Sequence, residues 1–201
     1  MDHNIFQINQ ILEKLSKIDY IKPGEIPNIE LYMDQVTTFM DSHLAHSKRY
    51  ADDKILTKTM INNYAKNKLL PPPAKKKYTK DHMFLLIFIY YFKSILSIND
   101  IQSLLTPVCD RYFGSKDGVS LEDVYEEVFS MEKEQLDALV QDVKQKFETA
   151  GGTFDALPEE EQDPMRMFSF ICTLAFDVYV KKQIIESLID EMAAEKNIQE
   201  K

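Results

Sequence analysis

Apolar residues recur at helical spacing along nearly the whole chain, and the turn-forming residues collect between the runs, which predicts a mainly α protein. Ile5, Ile8, Ile11, Leu12, Leu15 and Ile18 make one stripe, so a helix is expected over 5–18, ending before the turn-like KPGEIP. A second helix should run from Asp34, as its N-cap, to about His46, with Val36, Phe39, Met40 and Leu44 turned inward. After the polar connection SKRYADDK, Thr57 is placed to cap a short helix in TKTMINNYAKNKLL. Its Met60, Ile61, Tyr64 and Ala65 share one face, while Lys58, Thr59, Asn62, Asn63 and Lys66 share the other.

Three prolines then stop that helix, and the lysines of PPPAKKKY follow on a stiff projection. Thr79 can cap the next helix, KDHMFLLIFIYYFKSI, which is apolar on almost every side and therefore central to a core. Ser97 with Asp100 resembles a capping box at the head of INDIQSLL, and Ser120 opens SLEDVYEEVFSM with Glu122 and Asp123 near the positive end of the helix. KEQLDALVQDVKQKFETA should end at Gly151 and Gly152, GGTFDALPEEEQDP reads as a loop, and Asp163 with Pro164 reads as a helix-opening pair. From Met165 to Met192, Phe168, Ile171, Leu174, Ala175, Val178, Ile185, Leu188, Ile189 and Met192 form a seam. It fits either a helix packed on its own chain or a dimer contact.

Charge divides this helical chain in two. The net charge of -9 conceals 14 basic against 11 acidic residues in 1–100, a net +3, and 10 against 22 in 101–201, a net -12. The basic residues of the first half concentrate between Lys48 and Lys80, and a local patch matters more to phosphate than the total does. Asn, Thr and Lys on one face of a short helix have the donors and acceptors that read base edges and phosphates, although a solvated face has the same composition.

The order helix, turn, LTKTMINNYAKNKLLPPP, lysine-rich strand-like piece, YTKDHMFLLIFIYYFK, SINDIQSLL resembles the winged helix-turn-helix of the MerR family of transcription regulators. Thr57, Ile61, Tyr64, Leu69, Leu70, Pro71 to Pro73, Tyr78 and Thr79 match that family's capped recognition helix, its aromatic, its entry into the wing and the start of its next helix. The segment from EIPNIELYMDQV onward also resembles the bacterial domain of unknown function 1836, over residues 20–150. Against MerR, Asn62 replaces a phosphate-meeting Arg, Lys68 replaces a Gly, the connection before the recognition helix is longer and the wing is shorter.

After the N-terminal amphipathic helix (1–25) read from its apolar stripe, the resemblance implies a MerR-like winged helix-turn-helix (26–106) and an acidic helical region for dimerisation or effector response (107–201). It implies a sequence-specific regulator acting on double-stranded DNA as a homodimer, with the recognition helix at about 58–68 and a lysine wing at 71–78. Lys58, Thr59, Asn62, Asn63, Lys66, Lys75, Lys76, Lys77 and Tyr78 are then the candidate DNA-binding residues, and an effector of unknown identity is compatible with the acidic half. The rival expectation is a winged-helix adaptor that binds protein and not DNA.

Other chemistry is poorly represented. His43 and His46 with Asp41 lack a further metal ligand nearby, and Cys109, just after Pro107, has no second cysteine beside it. GxSxG, P-loop, HExxH and glycine-rich dinucleotide signatures are all missing from the sequence, so neither an enzyme nor a cofactor is expected. The two cysteines form no CxxC pair, the N-terminus lacks the pattern of a secretory signal, and the apolar run Met83–Phe92 is about half of what spans a bilayer. The expected location is the cytoplasm, away from membranes.

Overall fold

A computed structural model describes residues 2–15, 20–115 and 117–199. The protein is mainly helical, and its contacts divide it into two units, Met1–Asp19 with Ser130–Ile185, and Tyr20–Phe129 with Glu186–Lys201.

The unit built on Tyr20–Phe129 is organised around a helix of unbroken apolarity. It contains β1 (Leu31–Tyr32), α2 (Met33–His43), α3 (Lys58–Lys66), β2 (Lys77–Tyr78), α4 (Lys80–Phe92), α5 (Ile98–Tyr112) and α6 (Leu121–Ser130). Every residue of α4 from His82 to Ile89 is buried, because neighbours cover it on all sides, including α5 and β2. On α6, Tyr125 is fully buried, with its ring 4.6 Å from Phe84 and 4.5 Å from Phe129. Its hydroxyl donates to the carbonyl of Ile21 at 2.7 Å, so burial leaves no polar atom unsatisfied there. Lys80 pairs with Glu122 at 2.7 Å, and the carboxylate of Asp81 accepts from the amide of Gly114 at 2.7 Å. These contacts fix the start of α4 to the α5–α6 connection and to the first turn of α6.

Local signals place most helix starts. Ser97 and Asp100 exchange the two bonds of a capping box, and Ser120 and Asp123 do the same before α6. One expected start needs correction. Asp34 lies inside α2, whose cap position is Tyr32, where the side chain of Gln35 accepts from the Tyr32 amide at 2.8 Å. Thr79 occupies the cap position of α4 as expected, and the ring of His82 accepts from the Thr79 amide at 3.0 Å. Pro107 lies within α5, which continues to Tyr112.

The other unit contains α1 (Asp2–Leu15), α7 (Glu132–Gly151) and α8 (Glu159–Gln199) as far as Ile185. The stripe expected on the first helix is described as far as Leu15; Ile18 falls outside the described residues. Phe147 of α7 meets Phe170 of α8 edge to face at 5.2 Å, and Lys146 joins Asp142 to Asp177. The loop read over GGTFDALPEEEQDP is shorter than expected: α8 begins at Glu159, so Asp163 and Pro164 sit inside it. Three glutamates in the first turn suit the positive end of the helix, and Gln162 donates to the Leu157 carbonyl at 2.9 Å. Arg166 closes the connection by donating to the Thr153 carbonyl at 3.0 Å and pairing with Asp155 at 2.6 Å. Along α8, Phe168, Ile171, Ala175 and Val178 are exposed, whereas Phe170 and Ile189 turn inward.

Candidate nucleic-acid interface

Thr57 caps α3 as its sequence predicts, its Oγ1 accepting from the Met60 amide at 3.2 Å. Ile61 and Tyr64 are buried beneath the helix, and burial raises the pKa of the Tyr64 phenol. Lys58, Thr59, Asn62, Asn63 and Lys66 are all exposed, and at 100° per residue they occupy an arc of about 140°. The polar face expected from spacing is therefore continuous.

α3 ends at Lys66, two residues earlier than the expected 68, in a closure that joins helix to proline run. The amide of Leu69 donates to the Tyr64 carbonyl at 2.9 Å and that of Lys68 to Ala65 at 3.2 Å, the two bonds of a Schellman motif. The position that must be left-handed is Lys68, at φ 58°, where glycine is the usual residue. Leu69 and Leu70 are buried and anchor the chain before the prolines.

Beyond the prolines the chain reverses in two residues. The Lys77 amide donates to the Ala74 carbonyl at 2.9 Å, and the two residues between, Lys75 and Lys76, have φ 50° and 63°. Positive φ at both central positions is the pattern of a type I′ turn, which favours Asn-Gly. Here it carries two exposed lysines. Three lysines of this region thus occupy backbone geometry that costs an ordinary side chain roughly 1 kcal/mol or more. Lys66, Lys68, Lys75 and Lys76 are exposed, and none forms an ion pair within the described residues.

The segment 30–34 links turn and helix. β1 and β2 pair antiparallel, Leu31 with Tyr78 and Tyr32 with Lys77. Lys77 Nζ lies 3.4 Å from a Glu30 carboxylate oxygen and 5.7 Å from the centre of the Tyr32 ring, while Lys58 pairs with Asp34. Glu30 and Asp34 are four residues apart, at most about 14 Å of extended chain. The two sets of cations are therefore held close together.

One candidate leaves the site. Tyr78 is only 3% exposed, because its place in β2 turns its side chain toward Leu31 and the ring of His82, and burial raises the pKa of its hydroxyl. It is a core residue of the turn's base and cannot contact a duplex.

His82, to which the sequence reading assigned no role, fastens the turn to α4. It is 3% exposed; Nδ1 accepts from the Thr79 amide, and Nε2 lies 3.1 Å from the Pro71 carbonyl, so the ring is neutral with its proton on Nε2. Burial lowers its pKa, against smaller raising effects from the Pro71 bond and the nearby Asp81 carboxylate. Its partner Pro71 lies eleven residues away, beyond the reach of local motifs.

The weaker chemical candidates have structural places. His43 stacks on Phe39 at 4.0 Å with Nδ1 2.9 Å from the Phe39 carbonyl. Among the described residues, no group of three or more His, Cys, Asp or Glu could hold a metal ion. Burial, helped by Asp110, pushes the Cys109 thiol up to about 11, which leaves little reactive thiolate near neutrality. No helix among the described residues is long and apolar enough to cross a membrane.

No curated protein and no solved structure matches the chain. A family model described as "Domain of unknown function (DUF1836)" matches residues 21–128, from just before the turn that opens at Pro23 to within the last turn of α6. The match covers more than half of the chain and stops short of the expected residue 150; the protein belongs to this family.

Proposed function

We propose that the protein is a sequence-specific, double-stranded-DNA-binding transcription regulator of MerR-like winged helix-turn-helix type, acting in the cytoplasm and without catalysis or a cofactor. The observation that carries this reading is the link made by segment 30–34, which keeps the polar face of α3 beside the lysine turn. α3 would enter the major groove, with Asn62, Asn63 and Thr59 reaching base edges and Lys58 and Lys66 at its margins. Lys75, Lys76 and Lys77 would meet the phosphates alongside, positioning the helix without reading sequence. The left-handed lysines support this, because an expensive backbone geometry is being spent on exposed cations.

A homodimer fits the same reading. Phe168, Ile171, Ala175 and Val178 follow the alternating three- and four-residue spacing of a helix seam and are exposed in the single chain. Two copies would present two recognition helices to paired half-sites. Light scattering should give twice the chain mass; a monomer at high concentration removes this part.

The deciding experiment selects bound fragments from random duplex DNA at near-physiological salt, then repeats the selection with Asn62→Ala/Asn63→Ala. A motif that loses definition in the variant supports base reading by α3. Failure to enrich any motif, with no salt-dependent binding, refutes the proposal. The rival adaptor reading is favoured by one observation: Lys58 and Lys77 are already engaged by Asp34 and Glu30. On that reading Asn62 and Asn63 face a protein, and duplex affinity stays negligible at all salt concentrations.

A further inference from the structure

A cavity of about 450 Å³ lies between the connection that precedes α3 and the end of α4, lined among others by Ser47, Lys48, Lys54, Ile55, Tyr90 and Lys93. Its size falls within the range of small-molecule sites. Lys93 is half-buried at its edge. Its ammonium donates to the Ile55 carbonyl at 2.6 Å and lies 4.7 Å from the centre of the Tyr90 ring, and no carboxylate pairs with it among the described residues. An ammonium has three donors, so the carbonyl leaves capacity for another acceptor.

The remaining charges do not neutralise the cavity. The carboxylate in the lining, Asp53, is turned to the backbone, accepting from the amides of Arg49 at 3.1 Å and Tyr50 at 2.9 Å. Lys48 is held at 2.7 Å by Asp41, which is not itself a lining residue, whereas Lys54 is exposed and has no ion pair among the described residues. The walls between these groups are mostly apolar, formed by Ile55 and tyrosine rings, with Ser47 and Ser94 among them. Burial without a counter-charge lowers the pKa of Lys93, the expected mark of a cation short of an anion.

We propose that this cavity binds a small organic anion, a carboxylate or phosphate ester with a flat apolar body, its charge against Lys93 and Lys54 and its body against Tyr90 and Ile55. The assignment goes beyond the regulator reading and stands whether or not the protein binds DNA. It gives a chemical class to a ligand site in the basic half of the chain.

The test is isothermal titration of the full chain at constant ionic strength and neutral pH with four probes: sodium benzoate, phenyl phosphate, inorganic phosphate and uncharged benzamide. One of the two organic anions should saturate at one per chain, with the other two probes at least about tenfold weaker. Which organic anion binds better separates carboxylate from phosphate-ester recognition. Lys93→Met should weaken binding by about tenfold or more, and the exposed Lys54→Gln by a few-fold. Should Lys93→Met fail to fold, Lys54→Gln still decides. The proposal is overturned if neither organic anion saturates, if benzamide or inorganic phosphate binds as well, or if affinity is indifferent to Lys93 or, should that variant not fold, to Lys54.

Discussion

Replacing Lys75 by Asn and Lys76 by Gly should make the protein more stable and, on the proposed reading, a weaker binder of DNA. Both residues sit at positive φ in a two-residue reversal, where Asn-Gly is the preferred pair. A left-handed conformation costs an ordinary L-residue roughly 1–2 kcal/mol, which Gly avoids and Asn partly avoids. The extra freedom of Gly in the unfolded chain returns about 0.5–1 kcal/mol of the gain. The net expectation is stabilisation by about 1 kcal/mol, or roughly 4 °C in melting temperature for a unit of this size. If both lysines meet phosphates, their loss should lower the slope of log affinity against log salt by about 1.8, at 0.9 per contact. Lys75→Ala/Lys76→Ala is the companion variant, since Ala removes the charge but keeps the unfavourable geometry. It should flatten the slope equally without raising stability. Thermal melts and fluorescence anisotropy across a salt series measure both effects. A stabilised Asn-Gly variant with an unchanged salt slope refutes the phosphate role, and a destabilised one refutes the turn argument.

Other expectations follow from single residues. Lys68→Gly should stabilise by roughly 0.5–1 kcal/mol, because its φ of 58° closes α3 at a position suited to Gly; urea unfolding reads this directly. The folded pKa of His82 lies below its ordinary value of 6.5, so the unfolded chain takes up the proton first. Stability is then full above about pH 6.5 and falls as pH drops toward the folded pKa, and His82→Phe should remove that acid sensitivity along with some stability at neutral pH. Iodoacetamide at pH 7, followed by peptide mass analysis, should label exposed Cys172 well before Cys109, whose thiol is pushed up to about 11; faster labelling of Cys109 refutes its assignment as an inert residue.

The helices were legible because their determinants are local. Thr57, Ser97 and Ser120 act on amides three residues away, and the polar face of α3 follows from spacing alone. Tyr78 was misplaced because its neighbours in sequence are lysines, while its environment is set by the cross-strand partner Leu31. The roles of Glu30, Asp34 and His82 were hidden for a related reason: each depends on a partner brought near by folding, Lys77, Lys58 and Pro71 in turn. Nothing in KKK signals a tight reversal, since lysine has no preference for it. The Lys68 substitution at a usual glycine position was visible, but its left-handed backbone was not. Pro164 misled because proline often opens a helix, whereas here the glutamate-rich first turn begins five residues earlier.

Asp34 and Glu30 give the surface two built-in competitors for any polyanion. Lys58 and Lys77 already have acidic neighbours, so an incoming strand must displace side chains before it gains either cation. On the proposed reading, stray RNA would be offered less than the lysine count suggests, and a duplex that also satisfied Asn62 and Asn63 would recover in base contacts what the carboxylates withhold. Acidic groups placed beside the cations would in this way suppress background adsorption while leaving a cognate site its advantage.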